Sequence, residues 1–381
     1  MTTELEYSPG LAGVPAARSS VCYLDGQVGK LQYRGYPIEV LAERCSYEEI
    51  AHLLLVGHLP TRTELDAFSA RLASLRTAPE PVLATLRSLP TSGHPMDALS
   101  VGLLALGMHE KRAPKTAAER RDVATRLVAV LPTLVAASDR LRRGLAPVAP
   151  RTDLSHAANF VYMVDGAEPD PLVGRVLDAA LVLHAEHQMN ASTFSARVVG
   201  STLADAYVTI SAAVGALSGP LHGGANEEVL RMLEEMRVDA PADVRAWAAD
   251  RLAKKEKISG FGHREYKVKD PRAGILQKLG VQLFEKLGST PLYTRATTLE
   301  AQMAELVGGK GVYPNVDFYS GIVYQKMGLA TDLFTPVFAI ARVAGWLAHW
   351  LEQLEDNRIF RPNQIWTGSA DRAFAAIDER G

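Results

Sequence analysis

Hydrophobic residues recur every three to four positions along most of the chain, which is the spacing of one face of an α-helix. Segments with this pattern lie at 121–142, 171–188, 201–217, 226–236, 244–255 and 271–287. A further apolar segment, 334–350, is interrupted by Arg342 and His349 and is shorter than the roughly 20 apolar residues of a membrane span. The pattern predicts a mainly α-helical fold in which this last segment is a buried helix.

Two of the predicted helices have recognisable starts. Ser46 is followed three positions later by Glu49, which is the capping-box pattern, and the helix that it predicts ends at Gly57. Thr335 is followed by Pro336, which predicts an N-cap and a first helical residue for a helix that runs to about 355.

Residues that favour strands are concentrated near the N-terminus. The runs 20–24 and 30–34 flank a turn-rich stretch at 25–29, which predicts a small hairpin. The polar stretches 110–119 and 143–153 are predicted to be exposed connections.

Composition excludes several classes of protein. The 381 residues are 47% hydrophobic and 22% charged, which is typical of a globular protein and unlike collagen or a disordered chain. Basic residues number 41 and acidic residues 43, so no overall positive field attracts nucleic acid or an anionic membrane. The cysteines, Cys22 and Cys45, cannot form a disulfide framework and do not have the spacing of a metal site. Acidic residues at 1–6 replace the basic start of a secretory signal, so we expect a cytoplasmic protein.

His222 lies in a glycine-rich loop between two predicted helices. Pro220 terminates the first of these helices, and Asn226 is predicted to cap the second. The positive end of the second helix disfavours a charged imidazole and favours a neutral ring that donates one hydrogen bond. The loop alone leaves open the alternative of a surface or structural histidine.

A second glycine-rich loop contains Gly260, Gly262 and His263 and lies in the most basic part of the chain. Between 254 and 272 there are seven basic residues and three acidic ones, although the whole chain has a net charge of -2. Glycines allow the backbone to approach an adenine or a phosphate closely, so this is a candidate anion site; a solvated basic helix end is the alternative. A dinucleotide fingerprint would need a third glycine and a preceding strand, so a Rossmann cofactor is not expected.

Further polar residues lie in apolar or helical surroundings. Asp317 has apolar neighbours on both sides, which would raise the pKa of a buried carboxyl group; pairing with an arginine is the alternative. Arg342 needs an anionic partner in its apolar helix, either a ligand or a nearby acid. His184 and His187 are predicted to share a helix face, but no third ligand accompanies them, so no metal site is expected there.

Taken together, these segments resemble those of citrate synthases, specifically the short type of bacteria and archaea. The resemblance extends over nearly the whole chain, and several long motifs in the correct order make it specific. The motifs are Pro220-Leu221-His222-Gly223-Gly224, Gly260-Phe261-Gly262-His263-Arg264, Asp270-Pro271-Arg272 and Asn315-Val316-Asp317-Phe318, with further matches at 25–26, 31–36, 53–60, 184–193, 341–346 and 361–362.

The resemblance implies the citrate synthase fold, which is an α-helical homodimer. Each subunit would have a large helical domain formed by 1–222 and 328–381, and a small inserted helical domain formed by 223–327. The active site would lie in the cleft between the domains and would close when oxaloacetate binds.

The resemblance also implies a role for each candidate residue. Asp317 would remove a proton from acetyl-CoA, His222 would donate a hydrogen bond to the thioester oxygen, and His263 would protonate the oxaloacetate ketone. The residues implied to bind oxaloacetate are His187, Arg272, Arg342 and, from the other subunit, Arg361. The residues implied to bind CoA are Lys257, Ile258, Ser259, Gly260, Phe261, Gly262 and Lys267. Acetyl-CoA and CoA are substrate and product, and no permanent cofactor or metal is implied.

The function expected on this basis is that of a citrate (Si)-synthase of the tricarboxylic acid cycle. One alternative is a 2-methylcitrate synthase that uses propionyl-CoA, since one methylene is worth only about 1–3 kcal/mol of discrimination. Another is a non-catalytic, helical CoA-binding scaffold. Glu265 stands where many relatives have valine, which places an acid close to the implied CoA phosphates, and inhibition by NADH is not expected.

Overall fold

A computed structural model describes residues 7–110 and 114–380 of the protein. Within this part of the chain one antiparallel sheet contains, in order, β1 (Cys22–Asp25), β2 (Lys30–Tyr33) and β3 (Tyr36–Pro37). The α-helices of the described residues are α1 (Ile38–Arg44), α2 (Tyr47–Val56), α3 (Arg62–Ser74), α4 (Glu80–Arg87), α5 (Pro95–Glu110), α6 (Ala117–Arg142), α7 (His156–Asp165), α8 (Pro171–His184), α9 (Ala191–Ser201), α10 (Ala206–Leu217), α11 (Ala225–Met236), α12 (Pro241–Ala253), α13 (Pro271–Leu287), α14 (Pro291–Val307), α15 (Val316–Lys326) and α16 (Phe334–Glu355). The fold is mainly α-helical, as the hydrophobic spacing predicts.

The predicted N-terminal hairpin is confirmed. β1 pairs with β2 in an antiparallel register that places Leu24 opposite Leu31. β3, which the sequence pattern does not predict, extends the sheet by pairing Tyr36 with Tyr33. Leu31 and Tyr33 are fully buried, so one face of the sheet packs on the helices.

The predicted capping box at the start of α2 is also confirmed. The Glu49 amide donates to the Ser46 hydroxyl at 3.3 Å, and the Ser46 amide donates to the Glu49 carboxylate at 2.7 Å. The helix ends at Val56, and Gly57 follows in the left-handed conformation with φ 104°. Both ends of α2 are therefore set by the local sequence.

The predicted start of the last long helix is wrong by two residues. α16 begins at Phe334, directly after a 3-10 turn, so Thr335 lies inside its first turn and is not the N-cap. The Thr335 hydroxyl instead lies 3.1 Å from the Gly223 carbonyl oxygen and 3.0 Å from a Glu227 carboxylate oxygen. A tertiary contact has replaced the local cap, while the predicted end near Glu355 is confirmed.

Two other predicted helices are longer than the helices that the structure shows. The pattern at 171–188 ends at His184, and Gln188 has a left-handed φ of 53° that a helix cannot accommodate. The pattern at 201–217 is broken before α10, which Asp205 caps by accepting from a backbone amide. The remaining four patterns correspond to α6, α11, α12 and α13.

The predicted cap of α11 is wrong as well. α11 begins at Ala225, and no side chain caps it. The Asn226 side-chain oxygen accepts from the adjacent Glu227 amide at 2.9 Å, because Asn226 already lies within the helix.

Helices occupy both ends of the connection that was predicted at 110–119. α5 ends at Glu110 and α6 begins at Ala117, while residues 111–113 lie outside the described residues. The prediction for residues 1–6 also concerns residues outside those described. The predicted connection at 143–153 contains no helix or strand and is confirmed.

α16 is the central element of the core. It packs against α2, α6, α8, α9 and α10, and its Trp346 and Trp350 side chains are buried. A helix that is apolar on all sides needs such surroundings, so the predicted burial of 334–350 is confirmed. Among the helices that the structure describes, none combines the length and apolar character of a membrane span.

The helices α11 to α15 pack mainly on one another. α13 contacts α15, α12 contacts α14, and α11 contacts both α14 and α15. This group touches the other helices where α13 meets α8 and α1, and where α11 meets α16. The chain enters the group at Gly223, where a Cβ atom would lie 2.3 Å from the Leu217 carbonyl oxygen. Glycine is needed at this crossing because no side chain fits.

The turn of the hairpin lies against residues 265–268. A Cβ atom on Gly26 would lie 2.1 Å from the Glu265 carbonyl oxygen, and the Lys267 amide donates to the Gly26 carbonyl at 2.8 Å. A Cβ atom on Gly29 would lie 2.9 Å from the Val268 side chain. The sheet therefore supports a loop that is distant in sequence.

We expect Gly26→Ala to lower the apparent melting temperature, because the added methyl group overlaps the Glu265 backbone and overpacking costs about 1–3 kcal/mol. Differential scanning calorimetry of the wild type and the variant measures the shift. The control is Gly309→Ala, where a Cβ atom would meet nothing within 4 Å. Equal melting temperatures for the two variants would contradict the docking of the hairpin on this loop.

Candidate active site

The C-terminal end of α8 is held by a buried tyrosine. Tyr33 Oη lies 3.2 Å from the carbonyl oxygens of both Val182 and Leu183, and it accepts from the Glu186 amide at 3.3 Å. The last carbonyls of a helix have no partner within the helix, so an outside donor is needed there. Tyr33 therefore positions the turn that carries His187.

Arg342 lies in the buried middle of α16 with 1% of its surface exposed. Its Nε donates to the His184 carbonyl at 2.7 Å, and its guanidinium lies 4.7 Å from the centre of the Phe338 ring. Burial lowers the pKa of Arg342 below its usual range. Among the residues that the structure describes, no carboxylate forms an ion pair with it. A buried cation without an acidic partner indicates a site for an anion.

Arg272, in the first turn of α13, is paired with Asp270. The Arg272 Nε and Nη2 donate to the two carboxylate oxygens at 3.0 and 2.8 Å. Asp270 also caps α13 by accepting from the Arg272 amide at 3.0 Å. Burial acts to raise the pKa of Asp270, but the adjacent guanidinium outweighs it, so the pKa lies below its usual range. The pair is therefore ionised although both groups are buried.

His263 is held as a neutral ring with a known proton position. Its Nδ1 accepts from the amides of Glu265 at 3.0 Å and Tyr266 at 3.2 Å. Because an amide N–H can only donate, the ring proton must be on Nε2. Burial, followed by the charge of Arg272, lowers the pKa of His263 to about 4. His263 therefore presents a neutral Nε2–H donor.

His222 lies on the turn between α10 and α11, as predicted, and contacts a serine that sequence reasoning misses. Its Nε2 is 2.8 Å from Ser192 Oγ. The Trp346 indole donates to the same oxygen at 3.0 Å, and the Ser192 hydroxyl donates to Asn190 Oδ1 at 2.8 Å. Burial, followed by the charge of Arg342, lowers the pKa of His222 to about 4. Ser192 lies within the 184–193 motif, so the sequence places it in a matching segment. Its contact with His222, 30 positions along the chain, is visible only in the folded structure.

Asp317 lies in the first turn of α15. The Asp317 amide donates to the Asn315 side-chain oxygen at 3.0 Å, which caps the helix. Burial raises the pKa of Asp317 to about 6, although the charge of Arg272 acts to lower it. A carboxylate with this pKa is ionised at neutral pH and is a stronger base than an exposed one.

Two backbone hydrogen bonds join the glycine-rich loop at 257–263 to the segment before α15. The Asn315 amide donates to the Gly260 carbonyl, and the Gly262 amide donates to the Tyr313 carbonyl, each at 2.9 Å. His263 directly follows Gly262, the second of the two bonded glycines. The bonds therefore bring His263 to the N-terminal end of α15.

The residues predicted to bind CoA form a strip that is partly exposed. Lys257 and Lys267 are exposed, Ser259 and Phe261 are half-buried, and Ile258 is buried. Gly260 and Gly262 both have φ +81°; a Cβ atom would clash at the first and meets nothing within 4 Å at the second. The strip thus combines two lysine charges with an accessible backbone.

Two buried arginines join the candidate residues into one electrostatic cluster. Both guanidinium charges act on the pKa of His187 and on that of Asp317, and one of them acts on each of the other two histidines. The rings of His187 and His263 have their centres 5.4 Å apart. The members of this cluster are His187, His222, His263, Arg272, Asp317 and Arg342.

Arg361 is separate from this cluster within one chain. It is exposed in the segment that follows α16. Within the described ranges, no hydrogen bond or ion pair connects it to a cluster member.

The prediction that His184 and His187 share a helix face is wrong. α8 ends at His184, whose Nδ1 bonds the Ala180 carbonyl oxygen at 2.8 Å. His187 lies beyond the helix, and its Nε2 is 3.2 Å from Tyr266 Oη. The two imidazoles therefore have different partners.

Sequence reasoning also misses a buried polar network beside the cluster. The Arg197 Nη2 donates to His349 Nδ1 at 3.0 Å, so the proton of His349 is on Nε2, which donates to Glu186 Oε1 at 3.0 Å. Glu186 is fully buried, and its charge opposes the effect of burial on the pKa of Arg342. The available signal was His349 itself, a polar residue in an apolar helix.

The comparisons with known proteins agree on one family. The model of the family described as "Citrate synthase, C-terminal domain" matches residues 10–363. The chain is 51% identical to the citrate synthase of Synechocystis sp., over 100% of this chain and 96% of that protein. It is 46% identical to the citrate synthase of Haloferax volcanii, over 98% of this chain and 99% of that protein.

Solved structures give the same result. The fold is similar to that of citrate synthase from Pyrobaculum aerophilum, with a TM-score of 0.91, 39% identity, and coverage of 100% of this chain and 98% of that one. It is also similar to a ternary complex of carboxymethyl coenzyme A and oxaloacetate with citrate synthase from Thermoplasma acidophilum. That match has a TM-score of 0.92, 33% identity, and coverage of 98% of this chain and 100% of that one.

We expect Gly345→Ala to destabilise the protein, because a Cβ atom there would lie 2.2 Å from Glu186 Oε2 and 2.3 Å from the Ala185 carbonyl oxygen. The turn that leads to His187 would have to move, at a cost of about 1–3 kcal/mol. Thermal unfolding measures the loss. Gly274→Ala is a matched helical control, since a Cβ atom there meets nothing within 4 Å. An unchanged melting temperature in Gly345→Ala would refute the tight packing of α16 on this turn.

Proposed function

This chain belongs to the citrate synthase family, and on that premise we propose that it condenses acetyl-CoA with oxaloacetate and hydrolyses the resulting thioester to citrate and CoA. Family membership makes it an enzyme of the acyltransferase type, so the non-catalytic scaffold alternative has no support. The observation that carries the proposal is the convergence of one carboxylate and two neutral imidazoles around two buried guanidinium groups.

Asp317 is the base in the first step. It removes a proton from the methyl group of acetyl-CoA while charge develops on the thioester oxygen. That charge needs a hydrogen-bond donor, which is the role of His222. In this structure the one proton of the Ser192 hydroxyl is donated to Asn190 Oδ1. We propose that it turns to His222 Nε2 when substrate binds, which leaves the ring proton on Nδ1 for the thioester. The low pKa of His222 keeps the ring neutral, so it stabilises an enolate without holding a full charge before the reaction.

His263 acts in the second step. The enol carbon attacks the ketone carbon of oxaloacetate, and the ketone oxygen gains a proton. His263 carries its proton on Nε2 because two amides occupy Nδ1, so this donor is already oriented for the task.

Oxaloacetate has two carboxylates, and the buried cations are suited to them. Arg342 has no acidic ion-pair partner among the described residues, and a planar guanidinium can hold a carboxylate through two parallel hydrogen bonds. Asp270 already neutralises the charge of Arg272, so Arg272 contributes oriented hydrogen bonds to the substrate and little net positive charge. His187 completes the set within one chain, and we propose that Arg361 comes from a second subunit.

CoA binds along the glycine-rich loop at 257–263 in this proposal. The accessible backbone at Gly262 allows close approach to the adenine, and Lys257 and Lys267 meet the phosphates. Glu265 is exposed beside them and opposes this attraction. The bound complex named for the Thermoplasma acidophilum relative contains a CoA derivative and oxaloacetate, which supports this assignment of substrates.

We further propose that residues 223–327 close on the large domain, formed by 1–222 and 328–381, when oxaloacetate binds. The helices of this segment pack mainly on one another, which suits motion as a unit, and closure excludes water from the enol.

A homodimer fits the apolar surface that one chain leaves exposed. Leu104 and Met108 on α5 and Val208 on α10 are exposed, and so are Trp366 and Phe374 in the segment after α16. Surfaces of this kind are typical of contacts between subunits.

Asp317→Asn should lower kcat by a factor of about 10²–10⁴, the usual contribution of a positioned base. A thiol-release assay with acetyl-CoA and oxaloacetate measures the rate, and calorimetric titration should show that oxaloacetate still binds. The matched control is Asp243→Asn in the first turn of α12, which is exposed and outside the cluster. Turnover like that of the wild type in Asp317→Asn would remove this residue from its role.

The pH dependence should report the base. Asp317 must be ionised to act, and its pKa is about 6, so kcat/KM should fall about tenfold per pH unit below 6. His222 and His263 have pKa values of about 4 and stay neutral above pH 5, so they should add no second inflection there. Steady-state rates between pH 5 and 8 test this, and a flat profile down to pH 5 would contradict it.

The same thiol-release assay distinguishes citrate synthase from 2-methylcitrate synthase. Release should depend on oxaloacetate, and kcat/KM should be higher with acetyl-CoA than with propionyl-CoA. A clear preference for propionyl-CoA would make the alternative correct, and release that is independent of oxaloacetate would refute both.

A further inference from the structure

A cluster of possible metal ligands lies at the turn between α2 and α3, outside the active site. His52 is near the end of α2, His58 is in the connecting loop, and Glu64 is in the first turn of α3. One ligand atom from each residue lies within 4.8 Å of the other two. His58 Nε2 donates a hydrogen bond to Glu64 Oε1 at 3.2 Å, so the two atoms are already about as close as two ligands of one tetrahedral ion, and the ion would displace this proton.

We propose that His52, His58 and Glu64 bind a divalent transition-metal ion of the Zn²⁺ class. Two imidazoles and one carboxylate suit Zn²⁺, Co²⁺ or Ni²⁺, whereas Mg²⁺ and Ca²⁺ prefer oxygen ligands alone. Three protein ligands leave one tetrahedral position, which a water molecule fills.

A hydrogen bond determines which ring nitrogen of His52 is free to bind a metal ion. Its Nδ1 lies 3.1 Å from the His58 carbonyl oxygen, and a carbonyl can only accept, so Nδ1 carries the proton and Nε2 has the lone pair. Metal-binding histidines commonly make this hydrogen bond from the ring nitrogen opposite to the metal. Burial lowers the pKa of His52, which favours the neutral form that ligates.

The Glu64 carboxylate is also preorganised. One oxygen, Oε2, accepts from the Thr61 amide at 2.8 Å in a capping box, which leaves Oε1 directed at His58. These hydrogen bonds, with that from the Thr61 amide first, lower the pKa of Glu64 to about 2, so the group is ionised. The backbone therefore holds the anionic ligand in place without metal.

The site is open on one side. The His58 and Glu64 side chains are 55% and 43% exposed, while His52 is buried, so an ion can enter from solvent and meet a fixed inner ligand. The three ligand atoms must draw together to about 3.3 Å, a movement that the exposed His58 side chain can make. Binding would cross-link α2 to α3 in the folded state only, so it should raise the melting temperature.

Titration of tag-free enzyme with ZnCl₂ in a calorimeter tests the proposal, since a histidine tag would itself bind the ion. We expect one Zn²⁺ per chain, a higher melting temperature with Zn²⁺, and visible absorption bands of tetrahedral Co²⁺ when Co²⁺ replaces it. If no saturable binding is seen at Zn²⁺ concentrations below about 0.1 mM, the proposed site is wrong.

Two variants at exposed positions identify the ligands without disturbing the core. Glu64→Gln retains an oxygen for the capping box but loses the charge, and His58→Ala removes one imidazole. Loss of a residue that only supports a metal ligand lowers metal affinity about 10–100-fold. Loss of a ligand itself should weaken Zn²⁺ binding by at least this factor in each variant. His109→Ala, an exposed histidine outside the cluster, should bind as the wild type does. Wild-type affinity in Glu64→Gln and His58→Ala, or loss in His109→Ala, would refute the assignment.

Discussion

The burial of two guanidinium groups is the constraint on which the rest of this structure depends. Removing a cation from water costs several kcal/mol unless a partner compensates it. Arg272 has such a partner in Asp270, and both are almost fully buried. Arg342 has a carbonyl oxygen, an aromatic ring and the more distant charge of Glu186, but no ion pair within the described residues. The fold therefore retains uncompensated positive charge in its core, which a dicarboxylate would neutralise.

The same burial and charge determine how the neighbouring groups hold their protons. For the histidines, burial and the nearby cations act in one direction, so the pKa values of His222 and His263 fall to about 4. For Asp317 they act in opposite directions, and burial wins by enough to raise its pKa to about 6. One environment thus provides neutral donors and an ionised base at neutral pH. This combination is what removal of a proton next to a carbonyl requires.

Backbone contacts, more than side-chain packing, bring the distant segments to this point. The loop at 257–263 bonds the segment before α15, and the turn of the N-terminal hairpin lies on residues 265–268. Gly26, Gly223 and Gly345 each lie where a Cβ atom would overlap another part of the chain. These glycines permit a closeness that no other residue allows, and the tyrosine at the end of α8 completes the turn that carries His187.

The sequence by itself determined the features that depend on neighbouring residues: the mainly helical fold from hydrophobic spacing, the hairpin, and the capping box of α2. It also identified the histidines, Asp317 and Arg342 as candidates. It could not determine their partners, because Ser192 contacts His222 and Tyr266 contacts His187 only in the folded chain. For the same reason it could not show that Asp270 pairs with Arg272 or that Glu186 bonds His349. The tertiary structure also moved the start of α16, since Thr335 contacts Gly223 and Glu227 in place of its own helix. Local patterns record which residues favour a helix or a turn, whereas proton positions and pKa values depend on burial and on charges that lie far away along the chain.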